Sequence, residues 1–127
     1  MIETDILNLL IARGLATTGS AYVNWFPPNP DDVVSVFAYA GGAVERTHDS
    51  SGNANPSIQV RVRSASATTA RLKIQNIFNH LDGITNTTIG GSFVLRIEAL
   101  NSGPIPLGRD ENNRTEYTWN FSVLLRR

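Results

Sequence analysis

Between Pro56 and Gly83 the hydrophobic pattern changes period once. In PSIQVRVR, Ile58, Val60 and Val62 alternate with Gln59, Arg61 and Arg63, and a two-residue period predicts a strand with one buried face. From Ala70 onward the apolar positions recur every third or fourth residue, at Ala70, Ile74, Ile77, Phe78 and Leu81. This predicts a helix, capped by Ser66 or Thr68 and ended by Gly83. Leu72 falls on its far side among Asn and Gln, and a lone exposed leucine asks for no explanation.

The same test reads the rest of the chain. Residues 4–13, TDILNLLIAR, predict a first helix with Thr4 as cap, Asp5 in the first turn, Arg13 in the last and Gly14 as the stop. Ile2, Ile6, Leu9 and Leu10 form one face, while Leu7 and Ile11 form a second apolar stripe. Two readings stay open: a helix sunk in its own core, or one that also meets a neighbouring subunit. AYVNWF, Ala21–Phe26, is a short extended segment, and PPNPDD, Pro27–Asp32, is a turn with donors withheld by proline. VVSVFAYA, Val33–Ala40, is apolar on both faces and belongs inside a sheet. Phe93, Leu95, Ile97 and Ala99 alternate with Val94, Arg96 and Glu98 in a third strand. The last strand sets Tyr117, Trp119, Phe121, Val123 and Leu125 inward, with Glu116, Thr118, Asn120 and Ser122 outward. Gly41–Asn55 and Asn101–Arg114 carry no period and read as long loops.

Assembled, these pieces predict one α+β domain, residues 1–127, in the order α-β-β-α-β-β. Its four-stranded sheet is antiparallel, or else mixed, with both helices packed on one face. The opposite face holds Gln59, Arg61, Arg63, Arg96, Glu98, Thr118 and Asn120. Arg61 and Arg63 are therefore expected on an open polar surface, where their replacement spares the fold.

Composition narrows the function. Eleven basic and eleven acidic residues cancel, which argues against binding nucleic acid or anionic membrane through bulk charge. No cysteine is present, so neither a disulfide framework nor a thiolate metal site is expected. The apolar run Ile6–Ala12 is too short to span a bilayer and has no basic leader; a cytosolic product without membrane attachment is expected.

Candidate chemistry is sparse. His48 sits in a Gly/Ser/Asn-rich loop and His80 near a helix end, without the convergent ligands that zinc needs. Asp31–Asp32 follow a proline turn and are expected to cap local amides. DENN, Asp110–Asn113, lacks the alternating spacing and closing glutamate of a calcium loop. Gly41–Gly42 and Gly90–Gly91 sit at strand ends and read as turns, and no nucleophile elbow or phosphate-binding glycine motif occurs. No catalytic, cofactor or metal residue is predicted. An arginine face with Trp25 or Tyr39 to stack a base leaves a small nucleic-acid-binding domain as an alternative. Against it stand Glu98 among the arginines and the lack of aromatic residues interleaved on that face.

Three segments in succession carry a resemblance: FPPNPDDVVSVFAYAGG (Phe26–Gly42), PSIQVRVRSASATTARLKIQNIFNHLDG (Pro56–Gly83) and PLGRDENNRTEYTWNFSVLL (Pro106–Leu125). Together they resemble the phage minor capsid, or tail completion, proteins, whose members look like the tail terminator of long non-contractile tails. The resemblance implies a small α+β domain that assembles into a homo-hexameric ring on the end of the tail tube. Such a ring stops tube polymerisation once the tape-measure protein has set the length, and docks to the head connector. DNA passes through it without specific binding. It implies a virion protein of the head–tail junction, made in the bacterial cytoplasm, with no cofactor and no catalytic residue. A head-side connector component or a tail tube subunit is the alternative within the same class. A ring needs head-to-tail contacts between two different surfaces. Leu7 and Ile11 on one side, with Arg61, Arg63, Arg96 and Glu98 on the other, are the expected subunit contacts.

Overall fold

The alternating segment after Arg114 forms the strand around which the sheet is assembled. A computed structural model of the chain describes residues 2–42 and 53–126. It contains helices α1 (Ile2–Ala12) and α2 (Ala67–Leu81) and strands β1 (Ala21–Val23), β2 (Val33–Gly42), β3 (Asn53–Ser64), β4 (Thr85–Ile89), β5 (Ser92–Ala99), β6 (Ile105–Arg109) and β7 (Thr115–Arg126). The strands form one sheet in the order β1-β2-β3-β7-β5-β4. Along one whole side β7 pairs with β3; along the other it pairs with β6 near its start and with β5 near its end. Only β1 runs parallel to its neighbour, so the sheet is mixed.

This overturns the expected fold. The predicted sheet had four strands in the order α-β-β-α-β-β; among the described residues there are seven, in the order α-β-β-β-α-β-β-β-β. Three strands lack the signal that announces a strand. β4 reads TNTTI, exposed at its first four residues, so no apolar alternation exists to see. β6 reads IPLGR, exposed throughout and broken by Pro106 and Gly108, which suit only an edge. β1 is three residues long and pairs parallel, a contact that no local pattern encodes. In β5 a register shift between Val94 and Arg96 breaks the expected alternation, turning Val94 into the core while Leu95 is only half-buried. The expected loop Gly41–Asn55 is strand at both described ends; its centre, with His48, lies outside the described residues.

The core lies between the sheet and the helices. Val34 and Val36 of β2, Ile58, Val60 and Val62 of β3, and Trp119, Phe121 and Val123 of β7 are all buried on one face. Ala70, Ile74, Ile77 and Leu81 of α2 complete this cluster with Ile6 and Leu10 of α1. Burial of each large aliphatic side chain is worth roughly 1.5–3 kcal/mol, so the cluster supplies the main stabilising term. At the start of α2, Ser66 accepts a hydrogen bond from the Thr69 amide at 3.3 Å. At its end the Asp82 carboxylate takes the Ala99 amide at 2.8 Å, tying the helix to β5. α1 begins ahead of Thr4 and stops before Gly14, whose φ of +75° ends it. The β4–β5 turn packs against α1 so closely that a Cβ on Gly90 would lie 2.1 Å from the Asp5 carboxylate.

Candidate functional site at the proline turn

The sheet's other face is covered where Arg63 stands, while Arg61, its side chain 28% exposed, borders a concavity beside Phe37, Tyr39, Gln59 and Asn120. Pro27–Asp32 folds across the face at Arg63, and proline-rich backbone carries carbonyls that find no ladder partner. Arginine, with five donors and no acceptor, suits that deficit. Arg63, 3% exposed, donates from Nε to the Asp31 carbonyl at 3.2 Å and from Nη2 to the Pro30 carbonyl at 2.5 Å. Its guanidinium lies 4.8 Å from the Phe26 ring centroid, and that of Arg61 lies 4.5 Å from the same ring. Arg61 also donates to Glu116 at 3.0 Å, while its Nε is buried without a partner.

A third arginine closes the junction. Arg114, 5% exposed, donates to the Pro28 carbonyl and reaches the Asp31 carboxylate at 3.4 Å. Its Nε and Nη2 both lie 2.7 Å from one Asp110 carboxylate oxygen. The other Asp110 oxygen accepts the amides of Asn112 and Arg114, at 3.0 and 2.9 Å. The DENN stretch is thus a loop closed upon Arg114. Burial, and then Arg114 alongside, lowers the Arg63 pKa from the ordinary arginine value, yet a guanidinium keeps its proton throughout the physiological range. For Asp110, partial desolvation pushes upward. The hydrogen bonds from the backbone and side chain of Arg114, its charge and the Asn112 amide outweigh it, so the pKa is lowered.

The sign of the resulting pH dependence is definite. A carboxyl lowered in the folded state stabilises fully above its unfolded pKa of about 3.9, and that contribution is lost as pH falls through the folded value. Between about pH 6 and about pH 3, the urea midpoint of the wild type is expected to fall further than that of Asp110→Asn. Equal losses in the two proteins would remove Asp110 from the acid response.

The residues proposed for subunit contact are therefore dispersed. Arg63 holds the turn and Arg61 pairs with Glu116; Arg96 and Glu98 pair with each other at 3.1 Å in the open, their side chains 51% and 55% exposed. Leu7 is buried within the core cluster and Ile11 packs at its edge. Sequence reading missed Arg114 and Asp110, whose four-residue spacing inside a loop was the available signal. Asp31 was expected to cap amides and instead faces Arg114. His80 is exposed, and no three His, Cys, Asp or Glu converge as a metal site among the described residues. What the junction does chemically is fasten three chain segments together. The Pro-rich turn, the QVRVR strand and the GRD loop, distant in sequence, meet at this one place.

These three segments are the ones on which the sequence resemblance rests. The sequence model of the bacteriophage tail terminator protein matches residues 9–127. The chain belongs to the bacteriophage tail terminator family. It is thereby a structural protein of the phage virion, of the tail and its junction with the head. A solved chain from the virion of a native gene transfer agent particle has the same fold, with a TM-score of 0.71 at 14% identity. The alignment covers 99% of the terminator chain and 95% of that one. Among curated proteins there is no match. No helix among the described residues is long and apolar enough to cross a membrane.

Proposed function

We propose that this terminator closes into a six-membered ring on the finished end of the tail tube, halts tube growth and offers the surface to which the head connector docks. Its role is steric, without catalysis, cofactor or metal, and DNA passes through the ring without specific binding. The family match across residues 9–127 carries this reading. The arginines support it: Arg63 and Arg114 are buried and occupied by carbonyls and carboxylates of their own chain, and Arg61 is paired with Glu116, so none stands as a free phosphate-binding side chain. Of the six side chains proposed for subunit contact, Arg96 and Glu98 are the solvent-facing pair, placed to set register against a neighbour.

Tube growth adds subunits to one end, and only a protein that binds this end without offering a fresh tube-binding surface stops it. Phage lacking the chain are expected to make filled heads and separate tails, many of them overlong by electron microscopy. Tails of uniform normal length that fail to join would assign the chain to the head-side connector instead. Normal joined particles would exclude both roles.

A further inference from the structure

α2 turns Thr69, Leu72, Lys73, Asn76 and His80 to one side, a single stripe of the helical period beside its buried face. Two concavities lie along that stripe at the C-terminal end of α1. One, of about 240 Å³, lies between Gly14–Leu15 and Leu72–Lys73. The other, of about 230 Å³, has apolar walls from Leu9, Ile84 and Ile89, with Arg13, His80, Thr87 and Thr88 completing its lining. No carboxylate lines either cavity. Among the described residues, neither Arg13 nor Lys73 has an ion-pair partner. The second cavity abuts β4, one end of the strand order.

The other end of the strand order presents the complement. Just after β1, Trp25 is 59% exposed, propped edge-on by Tyr22 at 5.4 Å between ring centroids. In the turn that follows, the Asp31 side chain is 67% exposed and Asp32 is exposed as well. The arginine junction fixes this turn to the sheet, so the indole and the carboxylates are displayed on a rigid support. A basic cleft with apolar walls and an acidic turn bearing an exposed tryptophan are two different, matching surfaces on one chain. Surfaces so arranged make heterologous contacts, which form a ring when the rotation between copies closes and an open filament when it does not.

We infer that in the assembled ring the cleft between α1, α2 and β4 of one copy receives the Trp25–Asp32 turn of the next. Trp25 packs on Leu9, Ile84 and Ile89, and the Asp31 and Asp32 carboxylates face Arg13 and His80. This rests on the ring reading above. Exposed tryptophan against an apolar wall supplies the binding energy, and the charges set the register and reject other faces. A second copy is favoured over nucleic acid because the cleft's walls are aliphatic, which phosphate would leave unused.

The chain has no cysteine, so an introduced pair reports cleanly. Pro28→Cys combined with Thr88→Cys, which leaves Trp25 in place, treated with a short bismaleimide in purified particles, is expected to give a covalent ladder in steps of the 13.9 kDa chain. Each single variant is expected to give none. No ladder from tails of normal length would overturn the contact while leaving the terminator reading standing. A product with the mass of a different protein added would assign the cleft to a tube or head partner and overturn it too. Should the cysteine pair prevent assembly, charge reversal decides. Arg13→Glu is expected to lower the yield of joined particles at least about tenfold, and Asp32→Arg in the same chain to restore it to within about threefold. Absence of restoration overturns the contact. Failure of the terminator reading shows elsewhere, as tails of normal length when the chain is missing.

Discussion

Trp119→Ala is expected to lower the unfolding free energy by about 3–5 kcal/mol, the cost of removing a large aromatic side chain from a close-packed core. Trp119 is 1% exposed, stacks on Phe78 with ring centroids 4.1 Å apart and an interplanar angle of 11°, and has Phe121 6.5 Å beyond. Its indole N–H donates to the Asn101 carbonyl at 3.0 Å, which fastens the loop after β5 to the central strand. Truncation therefore opens a cavity between β7 and α2 and strands a carbonyl. Against a domain stability of about 5–15 kcal/mol, such a loss leaves much of the variant unfolded at moderate urea. Equilibrium unfolding followed by circular dichroism measures it, with Trp25→Ala as the control. Because Trp25 is 59% exposed, that change is expected to cost less than about 1 kcal/mol. Comparable losses in the two variants would mean that Trp119 does not anchor the core.

The second large effect is expected at Arg114. Arg114→Ala removes a guanidinium that serves the Pro28 carbonyl, Asp31 and Asp110 together, and is expected to cost about 3 kcal/mol, as when one partner of a buried ion pair is deleted. The effect is divided, since the loss unfastens both the proline turn and the loop before β7. Amide exchange should therefore accelerate in Pro27–Asp32 and around Asp110–Arg114 before it does so in the helices. Arg61→Ala offers the contrast. Its side chain is 28% exposed and, among the described residues, its one ion pair is with Glu116, so about 1 kcal/mol is expected. If Arg114→Ala unfolds at the wild-type midpoint, the junction contributes no stability.

How legible all this was in the sequence depends on what each element does with its side chains. β3 and β7 bury one face, so their alternation announced them, and Trp119 falls on the face expected of it. α2 was plain for the same reason, and of its two expected caps, Ser66 and Thr68, it is Ser66 that serves. β4 and β6 bury almost nothing and exist through backbone pairing with β5 and β7, which no side-chain period records. The candidate site divides in the same manner. QVRVR correctly put Arg61 and Arg63 on the face away from the core. What it could not convey was that a turn thirty-odd residues earlier in the chain covers that face at Arg63, because the demand comes from unpaired carbonyls rather than from apolar side chains. Replacing both arginines by glutamate is thus no longer a change that spares the fold, since Arg63 is 3% exposed.

Along the chain, β7 follows every strand with which it pairs. A ribosome therefore delivers β3, β5 and β6 before the strand that joins them, and until then their inner edges have no ladder. Such non-local pairing is slow to form and leaves the nascent chain open to aggregation meanwhile. Until β7 is in place the β1-β2-β3 and β4-β5 parts of the sheet are not joined, so a product stalled before Thr115 holds two part-sheets and lacks Glu116, the partner of Arg61.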